Sequence, residues 1–335
     1  MATENSIKDL YQTLKIYGID KKFTKEILLP DWWEDEIADS QTGYFQAASI
    51  IAKNLGIDIA GLINKVEIIN LKNPAQIKFK YPINLSFNQK DIWPNSLASK
   101  VSEIIEQLYD TPFKKISNDV LNIRSSILNQ YKIVNLRNTL EFLWSSGIPV
   151  VHIPVFPKEI NKMDGMAVNL DGRPIIILSK NRRHDAWLLF ILAHELGHII
   201  KGHLSNVDKI IYDVNLESEG DNEEKEANEF AIELLNGTKS PSYLSSSKVS
   251  QSSFELVNEI RPISKQFNID PGVIALNYAY QTKNYPLVEQ ALKVLSPKAN
   301  AVNLIKTIMT SKLDLGKLSE ENYDYFAKLT SLNED

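Results

Sequence analysis

Asp185-Ala-Trp-Leu-Leu-Phe-Ile-Leu-Ala-His194-Glu195-Leu-Gly197-His198-Ile-Ile-Lys201-Gly202 is apolar almost throughout, and it decides how the rest of the chain is read. Its length and unbroken apolar character fit a buried helix better than a strand. Asp185 reads as the N-cap, Lys201 suits the negative end of the helix dipole, and Gly202 is a natural stop. Residues four apart on a helix project from one face, separated by about 6 Å along the axis. His194 and His198 therefore present two imidazoles to a common point, with Glu195 beside them. That combination is half of a zinc-hydrolase site, in which the histidines hold the ion and the acid serves as base. Glu195 also counts against a helix whose histidines merely satisfy one another, because burying a carboxylate in so apolar a setting is costly unless it has a partner or a task.

A catalytic zinc takes three protein ligands and leaves a fourth position open, so a third group must come from elsewhere. With no cysteine in the chain, disulfides, thiolate ligands and a Cys nucleophile are excluded, and the third ligand has to be His, Asp or Glu. His203 is nearest. An HExxHxxGxxH site needs glycine three residues after the second histidine and a further histidine six after it; here Gly202 and His203 stand four and five after, so His203 is expected to be exposed or capping. A second amphipathic segment, Glu223 to Leu235, is the better source. Ala227, Phe230, Ala231 and Leu234 form its buried stripe, and Asp221 and Glu224 have capping-box spacing. Glu226 lies at the margin of the stripe and Glu223 projects to its middle, so helix geometry leaves both as candidates. Glu224 and Glu229 read as cap and solvated face.

Three strands precede the metal helix: Pro149 to Pro154, Gly165 to Leu170 and Pro174 to Leu178, the last two joined by the hairpin signal Asp171-Gly172. An edge of the second or third could accept an extended peptide as an added strand over the metal. Further upstream, helices are expected at Ile7 to Tyr17, Gly43 to Leu55 and Ile57 to Ile63, then at Leu97 to Tyr109, Asn118 to Tyr131 and Leu136 to Ser146. Short β-rich pieces at Val66 to Ile69, Gln76 to Phe79 and Asn84 to Phe87, set among Pro74, Pro82 and Pro94, read as a connector with a hairpin. Glu255 to Asp335 is helical, with Pro271 opening a helix after a short turn. The fold class is α+β and mostly helical: a zincin-like metallopeptidase core with a small antiparallel sheet, flanked by helical regions. The expected divisions are an N-terminal helical region at 1–66, a connector at 67–95, the metallopeptidase domain at 96–245 and a C-terminal helical region at 246–335.

Composition bounds the partners. The 335 residues carry a net charge of -5 with no block of like charges, so nothing calls electrostatically for nucleic acid or an anionic membrane. Ala47 to Leu62 has the rhythm of a helix-turn-helix, but Asp31, Glu34, Asp35, Glu36 and Asp39 precede it where a DNA reader needs Lys and Arg. Trp32 and Trp33 read as core or interface aromatics. The first ten residues lack a basic stretch followed by an apolar one, and no apolar run reaches membrane-spanning length, from which a cytoplasmic location is expected.

An HELGH helix preceded by Phe-Ile-Leu-Ala and followed by Glu-x-Glu-Ala-Asn-x-Phe-Ala resembles the ImmA/IrrE family of bacterial metallopeptidases over roughly Leu136 to Leu235. The resemblance implies a zinc endopeptidase with His194, His198 and Glu226 as ligands, Glu226 being matched as the Glu before Ala-Asn. It implies Glu195 as general base, taking a proton as water attacks and returning it to the leaving amine. The substrate it implies is a transcriptional repressor. Asn228 is a candidate outer partner for a ligating imidazole, and Tyr212 and His184 are candidate oxyanion donors. The alternatives are a protein-binding regulatory module that keeps the site without catalysis, and a DNA-binding regulator; an intact HELGH disfavours the first and the acidic N-terminal segment the second.

Overall fold

The apolar run from Asp185 forms the helix its composition predicts, and its residues from Leu188 to His198, Phe190 apart, are buried. The computed structural model describes residues 6–64, 78–79, 92–160, 162–170, 172–204, 209–212, 222–244 and 252–333. Along the chain the helices are α1 (Ile7–Ile16), α2 (Lys21–Phe23), α3 (Gln41–Leu55), α4 (Ile59–Ile63), α5 (Ile92–Leu108), α6 (Val120–Tyr131), α7 (Leu136–Ser145), α8 (Asp185–Ile200), α9 (Asn222–Asn236), α10 (Ser253–Phe267), α11 (Pro271–Thr282), α12 (Tyr285–Leu295), α13 (Ala301–Lys312) and α14 (Glu320–Thr330). The strands are β1 (Lys78–Phe79), β2 (Val150–His152), β3 (Gly165–Leu170), β4 (Arg173–Leu178) and β5 (Lys209–Tyr212). The fold is mostly helical α+β, as the sequence suggests. The expected β-pieces at Val66 to Ile69 and Asn84 to Phe87 lie outside the described residues, as does Asp171 of the hairpin turn.

The sheet differs from expectation in two respects. Its strand order is β1-β5-β3-β4-β2, and it is mixed rather than antiparallel, because β2 pairs with β4 in parallel and β1 with β5 in parallel. The hairpin of β3 and β4 is antiparallel, with Leu170 opposite Arg173 and the positive φ of 85° at Gly172 turning the chain. Moreover, neither β3 nor β4 presents an edge. Lys209-Ile-Ile-Tyr212, whose β-branched and aromatic residues suit a strand, pairs along β3 with Tyr212 opposite Met166 and Ile210 opposite Val168. Neither strand of the hairpin can take up an extended peptide while β5 and β2 flank them.

The helix α8 packs on β3 and β4 with one side and on α9 with another. Its N-cap is His184 rather than Asp185; Asp185 occupies the first turn, where its charge meets the positive end of the dipole. Arg124 of α6, buried, donates to the terminal carbonyls of α9 at Leu234 (2.7 Å) and Leu235 (2.9 Å), satisfying acceptors the helix leaves bare. At the other end of the molecule α14 returns to the N-terminal helices. The Tyr325 hydroxyl donates to the Asn54 carbonyl at 2.8 Å, and Lys328 to the Leu29 carbonyl at 3.0 Å. In the helix-turn-helix-like segment, Gly56 adopts a left-handed φ of 61° and α4 runs for only five residues. Trp33 is buried and Trp32 is exposed. Among the described residues no helix is long and apolar enough to cross a membrane.

Candidate metal centre

Gly197, inside HELGH, lets α9 come close to α8. A methyl group there would fall 3.0 Å from Ala227 Cα, 3.1 Å from the Ala227 oxygen and 3.2 Å from Phe230 Cδ1. With Ala227 pinned opposite Gly197, the residue three earlier on the same face of α9 points at the histidines. That residue is Glu224. Its Oε2 lies 3.2 Å from His194 Nε2 and its Oε1 3.3 Å from His198 Nε2, while the two Nε2 atoms stand 3.0 Å apart. His194, His198 and Glu224 form a cluster whose ligand atoms lie within 4.8 Å of one another. Glu226, expected here, points away and meets His203 instead (3.2 Å). The capping role that its spacing from Asp221 suggests for Glu224 involves a residue outside the described ones; Glu223, the other candidate, is not in the cluster.

The outer partners settle the protons. Asn228, one turn beyond Glu224, places Oδ1 3.0 Å from His194 Nδ1, and as an acceptor it takes the Nδ1 proton. His203 is buried, and its Nδ1 lies 2.9 Å from His198 Nδ1. The Glu226 carboxylate accepts from His203 Nε2–H, which leaves His203 Nδ1 as an acceptor for the proton on His198 Nδ1. Both Nε2 atoms then carry bare lone pairs. Burial holds the His198 imidazole below its ordinary value, with His194 and His203 acting in the same direction against the pull of Glu224.

Two neutral imidazoles and one anionic carboxylate thus turn acceptor atoms on one point, an arrangement that calls for a cation. Bonds of about 2.0–2.1 Å to a tetrahedral zinc place neighbouring donor atoms about 3.3–3.4 Å apart. The two imidazole nitrogens, 3.0 Å apart, and the nearer Glu224 oxygen to each, Oε2 at 3.2 Å from His194 and Oε1 at 3.3 Å from His198, are spaced on that scale.

Glu195, 1 % exposed, sits on the sheet side of α8, where Gly165 opens β3. A Cβ at Gly165 would come 2.6 Å from Glu195 Oε1 and 2.7 Å from Ile191 Cγ2, so glycine is what allows strand and carboxylate to touch. Of the two oxyanion candidates, His184 is not brought to this centre. His184 caps α8 beside Glu289 (3.6 Å), ten residues and about 15 Å of helix from His194. The Tyr212 side chain lies outside the described residues.

Sequence reasoning missed the role of His203, although the signal is present. Gly202 has φ 76°, its N–H bonds to the Ile199 carbonyl at 3.2 Å, and the His203 N–H bonds to the His198 carbonyl at 3.0 Å. This Schellman turn places the residue after the glycine against the residue five earlier, so a glycine followed by histidine at this offset brings His203 to His198.

Searches against curated proteins and against solved structures found no match. Residues 147–239 match the family model described as Peptidase_M78, IrrE N-terminal-like domain. The matched stretch contains β2 to β5, α8 and α9 in its entirety, hence every residue of the centre just described. Residues 147–239 thus carry a peptidase-type, IrrE N-terminal-like domain.

Proposed function

We propose that the chain is a zinc-dependent endopeptidase that hydrolyses a peptide bond of a specific protein, with His194, His198 and Glu224 as metal ligands and Glu195 as general base. The observation that carries this reading is the convergence of acceptor atoms from α8 and α9, 3.0 to 3.3 Å apart, with a buried carboxylate one residue from the first histidine. Zinc in such a site supplies Lewis acidity, lowering the pKa of a water toward about 7 and polarising the scissile carbonyl.

The protein's own groups do the rest. Glu195 takes a proton from the attacking water as the C–O bond forms, then delivers it to the amine nitrogen as the C–N bond breaks. Asn228 and His203 orient the two imidazoles. The substrate class carried by the family resemblance is a repressor-type transcription regulator in the cytoplasm. With both sides of the β3–β4 hairpin paired, a protein substrate must reach the centre by contacts other than an added strand on that hairpin.

The test is metal content and cleavage measured together. Purified wild type should hold close to one zinc; His194→Ala and Glu224→Gln should lose it, and Glu195→Gln should keep it while failing to cut a candidate repressor encoded beside the gene. Zinc retained in Glu224→Gln but lost in Glu226→Gln would overturn the ligand assignment. Equal cleavage by wild type and Glu195→Gln would overturn the mechanism.

A further inference from the structure

We propose that His203 and Glu226 are positioning residues of the metal centre, fixing through a Glu226–His203–His198 hydrogen-bond chain the ring orientation and tautomer in which His198 Nε2 faces His194 and Glu224. The inference rests on the metal-ligand reading of His194, His198 and Glu224.

Three observations carry it. His203 is brought to His198 by the Schellman turn at Gly202, so the contact is built into the backbone. Its ring is only 6 % exposed, with one nitrogen on His198 Nδ1 at 2.9 Å and the other on Glu226 Oε2 at 3.2 Å. Each link also has one direction. A carboxylate only accepts, so His203 donates from Nε2; its Nδ1 then only accepts, so His198 donates from Nδ1. His198 Nε2 is left bare, 3.3 Å from Glu224 Oε1. Without His203 the His198 ring, buried and without that acceptor, can place its proton on Nε2, aimed at the other ligands.

His194 has a different partner, the Asn228 amide oxygen, at 3.0 Å. The two ligating rings are therefore held from different elements: Asn228 and Glu226 lie on α9, and His203 follows the end of α8. The half-exposed Glu226 carboxylate, at 55 % side-chain exposure, is the outermost member of the chain. Its removal should matter less than removal of the buried ring.

The experiment is zinc affinity by competition with a chromophoric chelator, the visible spectrum of the cobalt-substituted protein, and thermal unfolding of the metal-free protein. The variants are His203→Leu, His203→Asn, Glu226→Ala and His194→Ala. Loss of an outer partner of a ligating histidine typically weakens metal binding about 10–100-fold. His203→Leu should show that loss with a shifted cobalt spectrum, and Glu226→Ala a smaller loss in the same direction. His203→Asn, whose amide oxygen can stand near the place of Nδ1, should recover most of the affinity. Unfolding of the metal-free Glu226→Ala and His203→Asn proteins should match wild type. If His203→Leu fails to fold, the comparison of Glu226→Ala with wild type decides. Wild-type affinity and spectrum in Glu226→Ala and His203→Leu, with zinc lost in His194→Ala, would overturn the inference alone. Zinc bound equally by His194→Ala would overturn the metal site itself.

Discussion

Replacing Gly197 by alanine tests the close backbone approach of α8 and α9 that sets the spacing of His194, His198 and Glu224. The new methyl would sit 3.0 Å from Ala227 Cα and 3.1 Å from the Ala227 oxygen, both backbone atoms that cannot rotate aside. Carbon–carbon contacts are comfortable at about 3.5–4.0 Å, so α9 must withdraw by roughly 0.5 Å. Metal sites hold their bond lengths to about 0.2 Å, so a shift of that size pulls Glu224 out of range of the histidines. The expected loss is at least tenfold in zinc affinity, about 1.4 kcal/mol. Stability of the metal-free protein should change less. Alanine in a helix interior gains about 1 kcal/mol over glycine, whereas overpacking costs about 1–3 kcal/mol, leaving a net loss of roughly 0–2 kcal/mol. Chelator competition and urea unfolding of the metal-free protein read the two quantities separately. A variant that binds zinc within about twofold of wild type would refute both the close helix pair and its coupling to the donor spacing.

Two further changes address the buried Glu195 carboxylate and the helical cap. In Gly165→Ala the Cβ would meet Glu195 Oε1 at 2.6 Å and turn the carboxylate away; zinc content should hold while peptide hydrolysis falls about 100-fold, and an unchanged rate would show that β3 does not fix the base. Asp270, the N-cap of α11, accepts from the Gly272 N–H at 2.8 Å, yet burial and the neighbouring Asp185 push its carboxyl up to about 6. The unfolded chain releases that proton near pH 3.9, so between about pH 4 and 6 the folded form binds more protons. Stability contributed by this group therefore falls as pH rises through that window, by up to about 3 kcal/mol. Asp270→Asn keeps a good cap and removes the buried charge. It should exceed wild type in urea stability at pH 7 but not at pH 4; parallel pH profiles for the two proteins would refute the assignment.

Much of the centre is legible in the sequence because it rests on local rules. The apolar run and the four-residue histidine spacing define α8, Asp171-Gly172 announces the hairpin, and the Ala227, Phe230, Ala231, Leu234 stripe defines α9. What is not legible depends on packing between elements. Glu223, Glu224 and Glu226 all lie near the stripe, and only the seating of Ala227 on Gly197 selects Glu224. The capping-box spacing drew Glu224 into a local role and hid it. The strand β5 is four residues long, too short for alternation to show, yet it decides which strands have free edges. The offsets of an extended zinc motif ask only whether His203 is a ligand and say nothing of what supports the ligands, so its burial against His198, where exposure is expected, is not legible from them.

Ile175, Ile176, Ile177 and Leu178 make β4 a continuous apolar strand, the kind of segment that seeds sheet-to-sheet association when left open. In this sheet it is enclosed between β3 and β2, and the terminal strands of the described sheet are only two and three residues long. Such short terminal strands offer a second chain very few backbone groups to pair with. The strand order thus lets the hairpin beside the centre be as apolar as packing under α8 demands, while giving little template for self-association.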